Sequence, residues 1–89
     1  MRLDLFLKST GIIPRRTVAK QACDQGLVEI DGSPAKASAE VRVGSTITTR
    51  IGMRVTRHEV LQIPLRAVPK ADRDAYCRLI SSDKVELEL

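Results

Sequence analysis

Arg15 and Arg16 follow Pro14 directly, and Lys20 comes four residues after Arg16. On a helix, residues four apart lie on one face, so Arg16 and Lys20 present their charges together. Pro14 suits a first helical turn, because its φ is already helical and its missing N–H would be unpaired there. The two arginines therefore sit in the turn where free N–H groups and the macrodipole already favour an anion. Folding alone would place Asp or Glu there; each arginine costs a few tenths of a kcal/mol, about the size of a macrodipole effect at an exposed site. A phosphate at the same place meets guanidinium forks, helix-terminal N–H groups and the dipole at once. The chemistry this pattern suits is polyanion binding.

Other chemistries find little support. His58, between Arg57 and Glu59, has no evident ligand or base partner and reads as a satisfied or exposed histidine. Cys23 and Cys77 are far apart, with no CxxC pair. They read as reduced thiols, Cys23 as a small buried hydrophobe, with no disulfide, metal or cofactor expected. Asp4 reads as structural, pairing with Lys8 one turn on or with an arginine of the second helix. No nucleophile or acid–base constellation is visible, so the chain is not expected to be an enzyme.

Charge is unevenly spread. Residues 1–20 carry Arg2, Lys8, Arg15, Arg16 and Lys20 against Asp4 alone, which is the whole formal net charge of +4. Residues 21–50 add −1, and residues 51–89 add +1 with seven basic and six acidic side chains. Such a concentrated field steers polyanions toward one end of the chain. Lys36 and Arg42 could reach phosphates from the hairpin side. Phe6 and Tyr76 are the only aromatic residues, and Phe6 reads as core. A protein without exposed rings lacks platforms for splayed single-stranded bases, so shape and backbone of a folded RNA are the better match.

The elements that position these groups follow from pattern. At 89 residues, 43% hydrophobic and 29% charged, the chain holds one modest core, burying about 60–65% of its unfolded surface. No apolar run approaches the roughly 18–20 residues that span a bilayer, and the opening Met1–Lys8 is too short and charged for a secretory signal. A cytoplasmic location and no membrane contact are expected.

Leu3, Phe6 and Leu7 give a short helix over 2–8, ended by Gly11. A second helix runs from about Pro14 to Gln25, burying Val18, Ala19, Ala22 and Cys23, with Gly26 closing it. Leu27–Asp31 alternates as a strand, Asp31-Gly32 makes a hairpin turn, and Ser33–Ala37 returns as an edge strand because of Pro34. Ser38–Ser45 connects to strands at Thr46–Ile51 and about Arg54–Leu61, joined through Gly52-Met53. After a linker between Pro64 and Pro69, Lys70–Ile80 reads as a helix with Ala75, Tyr76, Leu79 and Ile80 on its apolar side. Residues 85–89 could pair as a strand or fray. The expected fold is α+β, two amino-terminal helices packed on a small antiparallel sheet with a short carboxy-terminal helix. Residues 1–61 form the RNA-binding domain, and 62–89 the linker, helix and tail of the same small domain.

Four stretches carry a resemblance: Arg2-Leu3-Asp4-x-Phe6-Leu7-Lys8, Arg15-Arg16-Thr17-x-Ala19-x-x-Ala22, Gly26-x-Val28-x-Ile30-Asp31-Gly32-x-x-Ala35-Lys36, and Val43-Gly44-Ser45-x-Ile47. They closely resemble the RNA-binding domain first described in small-subunit ribosomal protein S-four, over about residues 1–50. The overall length and the segment Lys70–Tyr76 resemble the small bacterial ribosome quality-control proteins of the RqcP type. Those have larger relatives in the fifteen-kilodalton ribosome-associated heat-shock proteins.

The resemblance implies binding to large ribosomal subunits still carrying peptidyl-tRNA, through 23S rRNA and the tRNA. It also implies support of carboxy-terminal alanine tailing, with the factor that recruits alanyl-tRNA as a partner. Arg2, Arg15 and Arg16 match the family's basic motif, with Lys8 and Lys20 beside them. Pro14 departs from it, since a further basic residue is common there, and the long basic extension of the heat-shock relatives is absent. The alternative is a general structured-RNA binder in ribosome assembly or heat-shock ribosome recycling. A monomer is the simplest arrangement.

Overall fold

The computed structural model describes residues 1–84, so the undecided tail at 85–89 lies outside the described residues. Two helices open the chain, α1 (Leu3–Thr10) and α2 (Arg16–Asp24). They are followed by β1 (Val28–Ile30), β2 (Ser33–Pro34), β3 (Thr46–Ile51) and β4 (Arg54–Val60). A 3₁₀ helix (Lys70–Ala75) and β5 (Cys77–Lys84) complete the described chain. The strands form one antiparallel sheet in the order β2-β1-β3-β4-β5. The fold is α+β, as the pattern implies.

No side chain caps α1, because Arg2 occupies the N-cap position. The connector after the hairpin takes over that task. Leu3 N–H donates to the Ala39 carbonyl at 2.8 Å and Asp4 N–H to the Ala37 carbonyl at 3.1 Å. Leu5 N–H donates to Asp4 Oδ1 at 2.8 Å. Three of the helix's orphan donors are thus satisfied, and residues 37–41 are tied to the amino-terminal end of α1. Val41 N–H reaches the Met1 carbonyl, and Arg2 pairs with Glu40 as an isolated bridge.

Helix α2 ends in a Schellman motif. Gly26, at φ 74, donates its N–H to the Cys23 carbonyl, and Leu27 N–H reaches Ala22. The expected hairpin turn is present: Asp31 and Gly32 both have positive φ, 51 and 85, as a two-residue turn matched to strand twist requires. Asp31 tolerates this because its Oδ1 accepts the Thr46 N–H at 2.9 Å. Pro34 lies in β2 at the edge of the sheet, where its lack of an N–H costs nothing.

The core lies between the helices and the sheet. Leu3, Phe6 and Leu7 from α1 and Ala19, Ala22 and Cys23 from α2 pack with Val28, Ile47 and Val60. Two expectations need correction. Helix α2 starts at Arg16, with Arg15 as N-cap and Pro14 before it, and Val18 is 40% exposed. Only a short helix covers Ala19, Ala22 and Cys23, and Val18 lies beyond that stripe. Secondly, Lys70–Ile80 is not one helix. It forms a 3₁₀ turn to Ala75 and then enters β5, leaving Leu79 and Ile80 54% and 45% exposed. An eleven-residue helix is marginal by itself. Continuing as strand lets residues 77–84 pair along the whole of β4, which would otherwise present an unpaired edge.

Candidate RNA-binding surface

Asp4 is the centre of the amino-terminal charge cluster. Its side chain is 2% exposed. Arg2 donates from Nε to Oδ1 at 3.2 Å and from Nη2 to Oδ2 at 3.4 Å. Arg16 donates from Nε to Oδ2, also at 3.4 Å. Burial on its own would raise the carboxyl's pKa. The Arg2 hydrogen bonds and charge, the Leu5 N–H and Arg16 outweigh it and hold Asp4 below the usual range. One buried carboxylate thus fixes two guanidiniums whose side chains remain 50% exposed. Of the two partners foreseen for Asp4, the arginine of the second helix is found, together with Arg2; Lys8 is not among its partners.

This arrangement leaves the cations available. Arg16 engages Asp4 through Nε alone, so its two terminal nitrogens keep their donors for another acceptor. Holding the forks in place also lowers the entropy lost on binding a phosphate. Lys20 lies one turn beyond Arg16 on the exposed face of α2. Because the connector is tied to the start of α1, Arg2, Lys20 and Lys36 line one shallow depression of about 390 Å³. Asp24 is its one acidic member. Arg15 is exposed at the N-cap of α2, directly before Arg16, and no acidic residue occupies the first turn of that helix. Among the described residues, Arg15, Lys20 and Lys36 form no ion pair.

The other two sequence-selected cations stand apart from that depression. Lys8 is exposed in the last turn of α1, about 9 Å along the axis from Arg2. Arg42 is exposed near the end of the connector. Three of the strand arginines differ in another respect. Arg50 pairs with Glu29, Arg57 with Asp83, and Arg78 with Glu59 at 2.8 Å. Their charge is largely compensated locally.

The potential catalytic side chains are quiet. Burial, with Asp4 and Asp24 nearby, pushes the Cys23 thiol up to about 11. Burial raises Cys77 also. Both thiols are free and buried. His58 is 6% exposed and its Nδ1 has no hydrogen-bond partner. That differs from the satisfied or exposed histidine read from the sequence. Burial, then the charge of Arg73, depresses its pKa and keeps it neutral.

Comparison with known proteins turns this geometry into a family. The S4 domain model matches residues 1–47, the two helices, the hairpin and the connector that carry all seven selected cations. The chain belongs to the S4 domain family. Among curated relatives, a Helicobacter pylori protein named "RQC P-site tRNA stabilizing factor" is 43% identical over 77 residues, covering 85% of this chain and 92% of the relative. A Streptococcus pneumoniae protein of the same name is 36% identical over 86 residues, 97% of each chain. Among solved structures, trimeric Vibrio cholerae heat shock protein 15 superposes with a TM-score of 0.84 at 25% identity, over 91% of this chain and 82% of that one. The resemblance read from the sequence is borne out, both to the S4 domain and to the small ribosome quality-control proteins. In this S4 domain, β5 extends the sheet beyond the matched residues through its pairing with β4. No helix among the described residues is long and apolar enough to cross a membrane.

Proposed function

We propose that this S4 domain protein binds large ribosomal subunits that still carry peptidyl-tRNA, and acts without catalysis of its own. In this reading Arg2, Arg15, Arg16, Lys20 and Lys36 contact backbone phosphates of 23S rRNA and the tRNA, with Lys8 and Arg42 at the margins. The observation that carries the proposal is the Asp4-centred cluster. Its two guanidiniums are set in place but half exposed, and Arg2 shares a depression with Lys20 and Lys36, which form no ion pair among the described residues. The relatives are named as P-site tRNA stabilizing factors, which points to the same kind of ligand. The Asp4 pair explains Arg16 structurally but not Arg15, which forms no ion pair among the described residues and gains nothing from the helix dipole at the start of α2.

Stabilising the tRNA on a stalled subunit would support alanine tailing by the factor that recruits alanyl-tRNA, in the cytoplasm, with the protein acting as a monomer. The likeness to heat shock protein 15 favours a second reading, ribosome recycling or assembly through the same face on another structured RNA. Co-sedimentation separates them. Purified protein is mixed with large subunits carrying peptidyl-tRNA, with empty large subunits and with intact ribosomes. The first reading predicts retention on tRNA-bearing large subunits above both others. Equal retention on empty subunits would favour the second, and no retention on any would reject both.

A further inference from the structure

A second concavity lies beside the cationic cluster. The segment leading into α2 and the β3–β4 hairpin enclose an open depression of about 430 Å³. Its walls are aliphatic: Ile12, Pro14 and Val18 on the helical side, Ile51 on the sheet side. Val18 and Ile51 are 40% and 43% exposed, an apolar surface that the fold leaves uncovered. Thr49 and Thr56 also line it, their hydroxyls hydrogen-bonded to one another. In such a pair only one hydroxyl proton is used, so the other remains available together with spare lone pairs. Arg54 stands at the rim, its Nη1 anchored on Ser82 Oγ at 2.9 Å. No carboxylate lines the depression, and Arg15 and Arg16 follow Pro14 directly.

We infer that this groove receives one unpaired nucleobase of the RNA held by the neighbouring cations. Three features favour a base over a protein segment. The rim carries Arg54 and no acidic residue lines the groove, which suits a phosphodiester chain entering and leaving. The floor offers hydroxyl groups that a heteroaromatic edge can use and an aliphatic side chain cannot. The groove is also short, bounded by one segment before α2 and one hairpin. A helix-in-groove partner needs a trough several turns long, and a standard protein interface some 20–30 residues a side. Aliphatic walls offer van der Waals contact to both faces of a base, doing for one nucleotide what aromatic platforms do elsewhere. The groove would thus select RNA with a bulged or flipped-out nucleotide beside a helical backbone. The inference rests on the proposed RNA-binding role of the adjacent surface.

Three RNA hairpins test it by fluorescence anisotropy at 100 mM salt: one with a single bulged adenosine, one with an abasic residue at the bulge, and one fully paired. The wild-type protein should bind the first about tenfold more tightly than the other two. Val18→Ser and Ile51→Ser, both at half-exposed positions, should each remove most of that preference and leave affinity for the paired hairpin unchanged. Equal affinity of the wild type for all three hairpins overturns the base-binding groove while leaving the basic surface intact. No measurable binding to any of them overturns both. Photocrosslinking from Ile51→p-benzoylphenylalanine on purified large ribosomal subunits should give RNA adducts. Adducts confined to protein overturn the assignment in favour of a protein partner.

Discussion

Asp4 and Arg16 join the two helices through a contact of 3.4 Å between a carboxylate that is 2% exposed and a guanidinium that is half exposed. The pair is asymmetric. Asp4 depends on its arginines to be buried as an anion, whereas Arg16 and Arg2 keep half of their surface in solvent. Removing the carboxylate should therefore cost both stability and binding geometry. Asp4→Ala should lose about 1–3 kcal/mol of unfolding free energy, the usual cost of breaking such a buried hydrogen-bond centre. Urea melts at pH 7 measure it. RNA affinity should fall at the same time, because two forks lose their anchor.

The same site sets an acid limit on stability. Asp4 titrates below its ordinary value when folded, so the unfolded chain binds that proton more readily. Its contribution is complete above the unfolded pKa of about 3.9 and disappears as pH falls through the lower folded value. Thermal melts from pH 6 to pH 2.5 should show this loss in the wild type, and Asp4→Asn should show a shallower dependence.

His58 should act in a higher pH window. Its pKa is depressed in the fold by burial and by Arg73, so the unfolded state takes up the proton first, near the ordinary histidine value of about 6.5. Stability from its neutral form is full above that value and declines as pH drops toward the folded pKa. His58→Leu removes both the titration and the unpaired Nδ1. The variant should be at least as stable as the wild type, with a flatter profile between pH 7.5 and 5.5 in thermal melts.

The thiols give a check on packing. With Cys23 pushed up to about 11 by burial and both cysteines enclosed, iodoacetamide at pH 8 should modify neither in the folded protein, and both after denaturation. Mass spectrometry after timed quenching reads the outcome. Rapid native alkylation of Cys23 would mean that α2 does not cover the core as described.

Much of this was legible in the residues. The apolar spacing of Leu3, Phe6 and Leu7, the Asp31-Gly32 turn and the edge position of Pro34 are local signals, and each reappears in the fold. The two misread segments share a physical cause. Helical spacing places Val18 and Leu79–Ile80 in cores, but burial depends on what packs opposite, which spacing does not state. For Cys77–Ile80 the decisive partner was β4, distant in sequence, and strand pairing won over a weak local helix. At the charge cluster, residue types pointed to Arg2, Arg16, Lys20 and Lys36, while their convergence depended on the connector capping α1, a backbone interaction that no side-chain pattern announces. The groove beside Val18 has no local sequence signal for the same reason: Ile51 and Thr49 reach it only through the sheet register.

Local pairing also predicts which cations matter. Arg78→Ala removes a side chain already bound to Glu59, so RNA affinity should change little and stability by no more than about 0.5 kcal/mol. Arg15→Ala and Lys20→Ala, with no acidic partner among the described residues, should each weaken RNA binding by about 1 kcal/mol and leave the Tm unchanged. Arg16→Ala should weaken binding by roughly 1–3 kcal/mol and lower stability as well, because Asp4 then retains Arg2 as its one guanidinium partner. Filter binding to purified 23S rRNA and differential scanning calorimetry separate the two effects.

The most direct measurement is the salt dependence of binding to large ribosomal subunits for the wild type and for a combined Arg15→Ala, Lys20→Ala, Lys36→Ala variant. None of the three residues supports the fold through an ion pair among the described residues. A surface that works by neutralising phosphate should show the log–log slope falling by about 2–3 units in the variant, roughly 0.7–0.9 per lost contact, with affinity reduced in parallel. An unchanged slope and affinity in a folded variant would contradict the account.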